Sequence, residues 1–77
     1  MSLFIIRSQE DYEQLDHDHI SFVDSVEVQG DVTMDGRVGD WDIYLYAGDL
    51  IIPSSRPAWV TPYGGHLTVR WDGEDRL

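Results

Sequence analysis

A pattern of alternating apolar residues, a glycine step and a second apolar alternation occurs three times in the chain. The three copies span residues 26–36, 44–54 and 63–71. Gly30 and Gly48 are 18 residues apart, and Gly48 and Gly65 are 17 apart. Aspartate follows the first two of these glycines and His66 follows the third. A near-constant period of this length indicates repeated supersecondary units.

Two architectures are compatible with this pattern. If each Gly-Asp step is a two-residue hairpin turn, the chain is an antiparallel meander. If the repeat is a structural rung, the strands form a short parallel β-solenoid with rungs of 17–18 residues. For so short a chain we expect the first architecture, an α+β, mainly β fold with one short N-terminal helix packed on a small antiparallel sheet. The parallel β-solenoid is the alternative.

The 77 residues predict a single domain with a small core. Residues 1–19 are expected to form a strand–helix element, 20–71 a β region and 72–77 a polar tail. Ser8 is the predicted N-cap of a helix over residues 9–16, with Asp11 in the capping-box position and Tyr12 and Leu15 buried.

Alternation within each segment predicts which side chains face inward. In the segment from Trp41 to Tyr46 the second face also carries aromatic residues, so that strand is expected to be central or to contact a partner. The tryptophans Trp41, Trp59 and Trp71 are expected to contribute to the core, and Pro53 to lie in a loop, because proline cannot join a central ladder.

Two segments resemble a known repeat family. Residues 23–36 and 60–69 are similar to the short Ser-Val-Gly-Gly-Asp-Leu-Thr-Ile rungs of bacterial and phage leucine-rich-like repeat proteins. Residues 5–11, followed by Leu15, are similar to the N-terminal caps of that family. The chain departs from the family at the leucine and asparagine positions between rungs. The resemblance implies stacked β-repeats.

The charge of the chain restricts its partners. Fifteen Asp and Glu residues oppose five Arg residues and no Lys, which gives a net charge of −10. Solubility of a small domain needs a charge of only about 2–8 in magnitude. The charge argues against direct binding to nucleic acid or to anionic membranes and favours a positively charged protein surface. A solvated surface or a salt-adapted host is the alternative explanation.

The chain carries no motif for catalysis, metal binding or secretion. Asp35, Asp40 and Asp42 lack the spacing of a calcium loop, and His17 and His19 have no clear third ligand. We therefore expect no catalytic residue, no metal site, no cofactor and no enzymatic activity. The absence of cysteine, of a signal peptide and of a membrane span predicts a soluble protein in a reducing cytoplasm.

Acidic residues spread along the chain suggest a binding surface. Same-face residues of a strand recur at about 6.6–6.8 Å, so a row of carboxylates can imitate the phosphates of a nucleic-acid backbone. Exposed tyrosines would add aromatic anchors of the kind that carry interface energy. The predicted partner-binding residues are Glu10, Asp11, Glu13, Glu27, Asp31, Asp40, Asp42, Tyr44 and Tyr46.

A small, acidic, cysteine-free domain resembles in type the phage-encoded inhibitors of bacterial defence, among them anti-CRISPR and anti-restriction proteins that mimic DNA. The resemblance implies a non-enzymatic inhibitor in the cytoplasm of a bacterial host cell, present as a monomer or weak dimer. By DNA mimicry it would block the basic surface of a nucleic-acid-binding protein, for example a CRISPR effector subunit. The alternatives are a structural or assembly β-repeat module and an immunity protein to a basic nuclease toxin.

Overall fold

The computed structural model describes residues 2–55 and 58–71 of the chain. The helical elements are α1 (Gln9–Glu13) and a 3-10 turn (His17–His19). The strands are β1 (Leu3–Ile6), β2 (Ser25–Gln29), β3 (Val32–Thr33), β4 (Asp42–Ala47), β5 (Asp49–Pro53), β6 (Trp59–Pro62) and β7 (His66–Arg70).

Every strand pair in the described part of the chain is parallel. Sheet A has the order β1-β2-β4-β6 and sheet B the order β3-β5-β7. Val26 is opposite Ile43, which is opposite Val60, so neighbouring partners are 17 residues apart. Each turn of the chain from β2 onward therefore places one strand in each sheet. The protein is a short parallel β-solenoid, with β1 and α1 at its N-terminal end.

The prediction of an α+β fold, with one helix packed on an antiparallel meander, is wrong. A two-residue hairpin turn of type I′ requires positive φ at both central residues. Positive φ is found at Gly48 and Gly65, but at no non-glycine residue that the structure describes, and therefore not at Asp31 or Asp49. Each Gly-Asp step is instead a corner, at which the chain leaves sheet A and enters sheet B. The domain is β-rich, and its helix ends at Glu13 rather than at residue 16.

At the corners, the backbone of each rung is in close contact with the backbone of the rung before it. A Cβ atom on Gly48 would lie 2.3 Å from the carbonyl carbon of Gly30, and one on Gly65 would lie 2.5 Å from the oxygen of Gly48. A Cβ on Gly30 would lie 2.1 Å from the oxygen of Arg7. Contacts below 3.0 Å leave no room for a side chain. The glycine period in the sequence is therefore a requirement for close stacking of the rungs.

The core lies between the two sheets and follows the predicted alternation. Val26, Val28, Val32, Ile43, Leu45 and Leu50 are buried in inward rows along the solenoid. Trp41 is also buried, but Trp59 and Trp71 are 76% and 67% exposed, so their assignment to the core is wrong. Trp59 lies beside Asp42 on the outer face of sheet A, and Trp71 follows the last strand.

Pro53 is the buried last residue of β5, so its assignment to a loop is also wrong. On one side of β5 the ladder continues past the proline, because Ser54 N donates to the oxygen of Arg70 at 2.8 Å. On the other side β3 ends at Thr33, which is opposite Ile51, so no neighbouring strand requires an N–H from Pro53.

The N-terminal end of the solenoid is closed by α1. Ser8 Oγ accepts the N–H of Asp11 at 3.2 Å, which confirms the predicted N-cap. The Gln9 side chain pairs with the free edge of β3: its Nε2 donates to Thr33 O at 2.9 Å and its Oε1 accepts Thr33 N at 2.7 Å. Tyr12, a residue of α1, is fully buried on the side of the helix that faces the core. The helix thus covers the N-terminal end of the core, and its Gln9 side chain satisfies backbone hydrogen-bonding groups at the edge of β3.

The stacking of the corners can be tested at Gly48. We expect Gly48→Ala to lower the free energy of unfolding by at least about 2 kcal/mol, because it combines positive φ with a backbone clash. Gly36→Ala is the matched control, since a Cβ there meets nothing within 4 Å, and it should change stability by less than about 0.5 kcal/mol. Urea unfolding followed by circular dichroism measures both. Equal stabilities of the two variants would contradict the stacking.

Candidate functional site: a tyrosine-lined acidic groove

The outer face of sheet A carries two rows of side chains that run across the strands. One row contains Ser25, Asp42 and Trp59, and the next contains Glu27, Tyr44 and Thr61. Neighbouring strands lie about 4.8 Å apart, so residues opposite one another in a row are in contact range. The fold therefore places an acidic and an aromatic side chain, Glu27 and Tyr44, side by side.

Three tyrosine rings are stacked on this face. The ring of Tyr63 lies 6.2 Å from that of Tyr44 and 5.2 Å from that of Tyr46, at interplanar angles of 21° and 13°. Tyr46 is an extra residue, because Val28 is opposite Leu45 whereas Gln29 is opposite Ala47. Such a bulge re-aims a side chain and increases local twist. Tyr63 N donates to Leu45 O at 2.8 Å, which holds Tyr63 next to Tyr46.

The tyrosines form one side of a groove with a volume of about 440 Å³. Its lining residues are Ser2, Leu3, Ser25, Glu27, Tyr44, Tyr46 and Tyr63. Tyr46 and Tyr63 are exposed, while Glu27 and Tyr44 are half-buried. The groove therefore offers aromatic faces and a carboxylate to a molecule that approaches from solvent.

The carboxylate of Asp42 organises the neighbouring tyrosine. Tyr44 donates its hydroxyl hydrogen to Asp42 Oδ2 at 2.6 Å, and this hydrogen bond raises the pKa of Tyr44. Tyr44 is therefore a protonated donor at neutral pH, and its ring is held beside the carboxylates of Asp42 and Glu27. Carboxylates next to aromatic faces suit a cationic side chain, which gains charge-assisted hydrogen bonds and cation–π contacts.

The other predicted binding residues lie outside the groove. Asp31 is at the first corner, where its Oδ1 accepts Asp49 N at 2.9 Å, and Asp40 is exposed in the segment before β4. Glu10, Asp11 and Glu13 belong to α1, which packs on β1 and β3. Of the nine predicted residues, the structure thus brings together Glu27, Asp42, Tyr44 and Tyr46.

Two of the helical acids already have partners. Asp11 Oδ2 accepts the N–H of Arg7 at 2.9 Å at the start of the helix. Glu13 Oε1 lies 2.7 Å from Arg37 Nη2, which also contacts Asp35 Oδ2 at 2.8 Å. The Arg37 hydrogen bond lowers the pKa of Glu13. These two carboxylates stabilise the N-terminal cap. Glu10 and Glu27 each accept only a longer hydrogen bond, at 3.4 Å, from the side-chain amides of Gln14 and Gln29.

Asp35 connects this ion-pair group to the core. Tyr12 donates its hydroxyl hydrogen to Asp35 Oδ1 at 2.7 Å and accepts the N–H of Asp35 at 3.0 Å. Burial raises the pKa of Tyr12 to about 12. The hydrogen bonds from Arg37, supported by that from Tyr12, hold the pKa of Asp35 well below its usual range.

Tyr63 was not among the predicted binding residues. A signal was present in the sequence, because Tyr63 follows Tyr46 by 17 residues, the same step that separates Gly65 from Gly48.

Asp24 is one of the acidic residues spread along the chain, but it does not contribute to a binding surface. It is buried, and its two oxygens accept Ser2 N at 2.7 Å and Ser21 N at 3.0 Å.

Comparison with protein-family models, with curated proteins and with solved structures gives no match for this chain. Among residues 2–55 and 58–71, no three His, Asp or Glu side chains are grouped in a way that could hold a metal ion. The helices of the described segments are also too short and too polar to cross a membrane.

The lowered pKa of Asp35 predicts how the free energy of unfolding depends on pH. A carboxylate whose pKa is lower in the folded state contributes stability above its unfolded pKa and loses it as the pH falls through the folded pKa. We expect the free energy of unfolding to fall as the pH is lowered below about 4. Asp35→Asn and Arg37→Gln should each make this dependence shallower, which urea unfolding at several pH values measures. An unchanged slope in both variants would contradict the assignment.

Proposed function

We propose that the protein is a non-enzymatic inhibitor that binds a basic, nucleic-acid-binding surface of another protein through the outer face of sheet A. The observation that supports this proposal is the stack of Tyr44, Tyr46 and Tyr63 beside Glu27 and Asp42. A DNA-mimicking inhibitor of phage origin, active in the bacterial cytoplasm against a subunit of a CRISPR effector complex, is the case that we favour.

The chemistry of the groove matches an arginine or lysine side chain. A guanidinium group stacks on tyrosine rings and donates two hydrogen bonds to a carboxylate. Glu27 lies next to Tyr44 across the β2–β4 ladder, so one cation reaches both the carboxylate and the ring. Tyrosine and arginine are among the side chains that carry most binding energy at protein interfaces. The groove therefore supplies short-range recognition of a basic surface.

The charge of the molecule supplies long-range attraction. A net charge of −10 speeds the approach of a basic partner and repels nucleic acid. Asp31 and Asp49 occupy successive rungs at the glycine corner, about 4.8 Å apart along the solenoid. This spacing is of the order of that between phosphates along a nucleic-acid strand. The acidic corner would extend the contact beyond the groove, at positions where the partner normally holds phosphates.

The first experiment identifies the partner. Tagged protein is used to capture proteins from lysates of bacteria that carry CRISPR and restriction systems, at low and at moderate salt. We expect a basic nucleic-acid-binding protein that is released by DNA and by salt, because screening weakens charge-directed binding. A partner that DNA does not displace would contradict the proposal.

Charge reversal then locates the contact surface. The double variant Glu27→Lys/Asp42→Lys should bind the captured partner at least about tenfold more weakly, because it removes the carboxylate that lines the groove and the one that holds Tyr44 beside it. The double variant Glu10→Lys/Asp18→Lys is the matched control, with the same change in net charge at exposed positions outside the groove. We expect it to bind within about threefold of the wild type. Equal losses in both variants would show that the groove face is not the contact surface.

A further inference from the structure

Among residues 2–55 and 58–71, the inward rows of the solenoid are covered by a following rung except at the last rung, which β6 and β7 form. Leu50 and Ile52 in β5 are buried, whereas their partners in β7, Leu67 and Val69, are half-buried and 55% exposed. In sheet A, Leu45 is fully buried while its β6 partner Pro62 is exposed. The last rung therefore presents core positions to solvent.

The two ends of the solenoid differ. At the N-terminal end, α1 covers the core with Tyr12 and pairs with the edge of β3 through Gln9. At the other end, β6 and β7 are edge strands of their sheets, with no further strand beside them in the described residues. Free strand edges with exposed apolar side chains are templates for pairing with another chain.

The charge is also distributed along the axis. Residues 2–49 contain twelve Asp and Glu and two Arg, which gives −10, whereas residues 50–55 and 58–71 contain one Arg and no Asp or Glu, which gives +1. Two copies of a protein with a net charge of −10 repel each other least when they approach through the end at which the described residues carry no carboxylate.

We propose that two copies of the chain associate through their C-terminal ends around a two-fold axis. The edges of β6 and β7 and the side chains of Val69 and Trp71 would form the contact. A two-fold axis normal to a sheet sets β6 antiparallel to β6 of the second copy, and the interface closes after two copies. Head-to-tail stacking is disfavoured, because at the other end α1 packs on β1 and β3 and the Gln9 side chain occupies the edge of β3. The dimer keeps the acidic ends apart and leaves both outer faces of sheet A free.

The test is the molecular mass of the full-length protein over a range of concentrations, by sedimentation equilibrium. We expect a monomer–dimer equilibrium with a dissociation constant in the micromolar range, strengthened by salt that screens the repulsion. Val69→Glu should weaken the dimer at least about tenfold, because it brings two carboxylates together at the axis. Val23→Glu is the matched control, since Val23 is 46% exposed and lies before β2, away from this end.

Crosslinking provides a second readout that does not depend on weakening the dimer. The chain has no cysteine, so a single cysteine reports proximity between copies. Val69→Cys should form a disulfide-linked dimer under mild oxidation, whereas Val23→Cys should not. A monomer at every concentration and salt, a dimer that Val69→Glu leaves unchanged, or equal crosslinking at the two positions would overturn the proposal.

Discussion

The rest of the structure depends on contact between bare backbone segments at the glycine corners. Gly30, Gly48 and Gly65 lie above one another where the chain passes from sheet A to sheet B, and a Cβ at any of them would overlap the neighbouring rung. This contact sets the distance between rungs, and hence the parallel pairing of both sheets. A domain of 77 residues has a stability margin of only about 3–5 kcal/mol, so losing one such contact consumes a large part of it.

The surfaces that we connect with binding follow from this stacking. Parallel rungs place equivalent residues of successive units side by side, so Glu27 meets Tyr44 and Tyr46 meets Tyr63 on one outer face. The same regularity leaves β6 and β7 without a covering layer among residues 2–55 and 58–71, because a solenoid covers each layer only with the next one. At the N-terminal end, α1 covers the first layer, with Tyr12 buried in the core and Gln9 bonded to the edge of β3. The parallel stacking of the rungs thus gives rise both to the tyrosine-lined groove and to the exposed core positions of the last described rung.

Features that depend on neighbours in sequence could be predicted, and those that depend on distant contacts could not. The Ser8 cap and the inward alternation of β2 and β4 are local, and both agree with the structure. The alternation is the same in parallel and antiparallel sheets, so it does not predict the direction of the strands. That direction depends on the backbone conformation at the Gly-Asp steps, which form corners and not hairpin turns. The pairing of Glu13 with Arg37 across 24 residues, and the stacking of Tyr63, depend on which segments the rungs bring together.

Recognition of basic side chains by the outer face of sheet A can be observed in a nuclear magnetic resonance titration. ¹⁵N-labelled protein would be titrated with an arginine-rich peptide at low salt and again at moderate salt. We expect chemical-shift changes concentrated at Glu27, Tyr44 and Tyr63 that weaken as salt is added. Changes confined to Glu10 and Glu13 on α1, or spread evenly over all exposed acids, would contradict it.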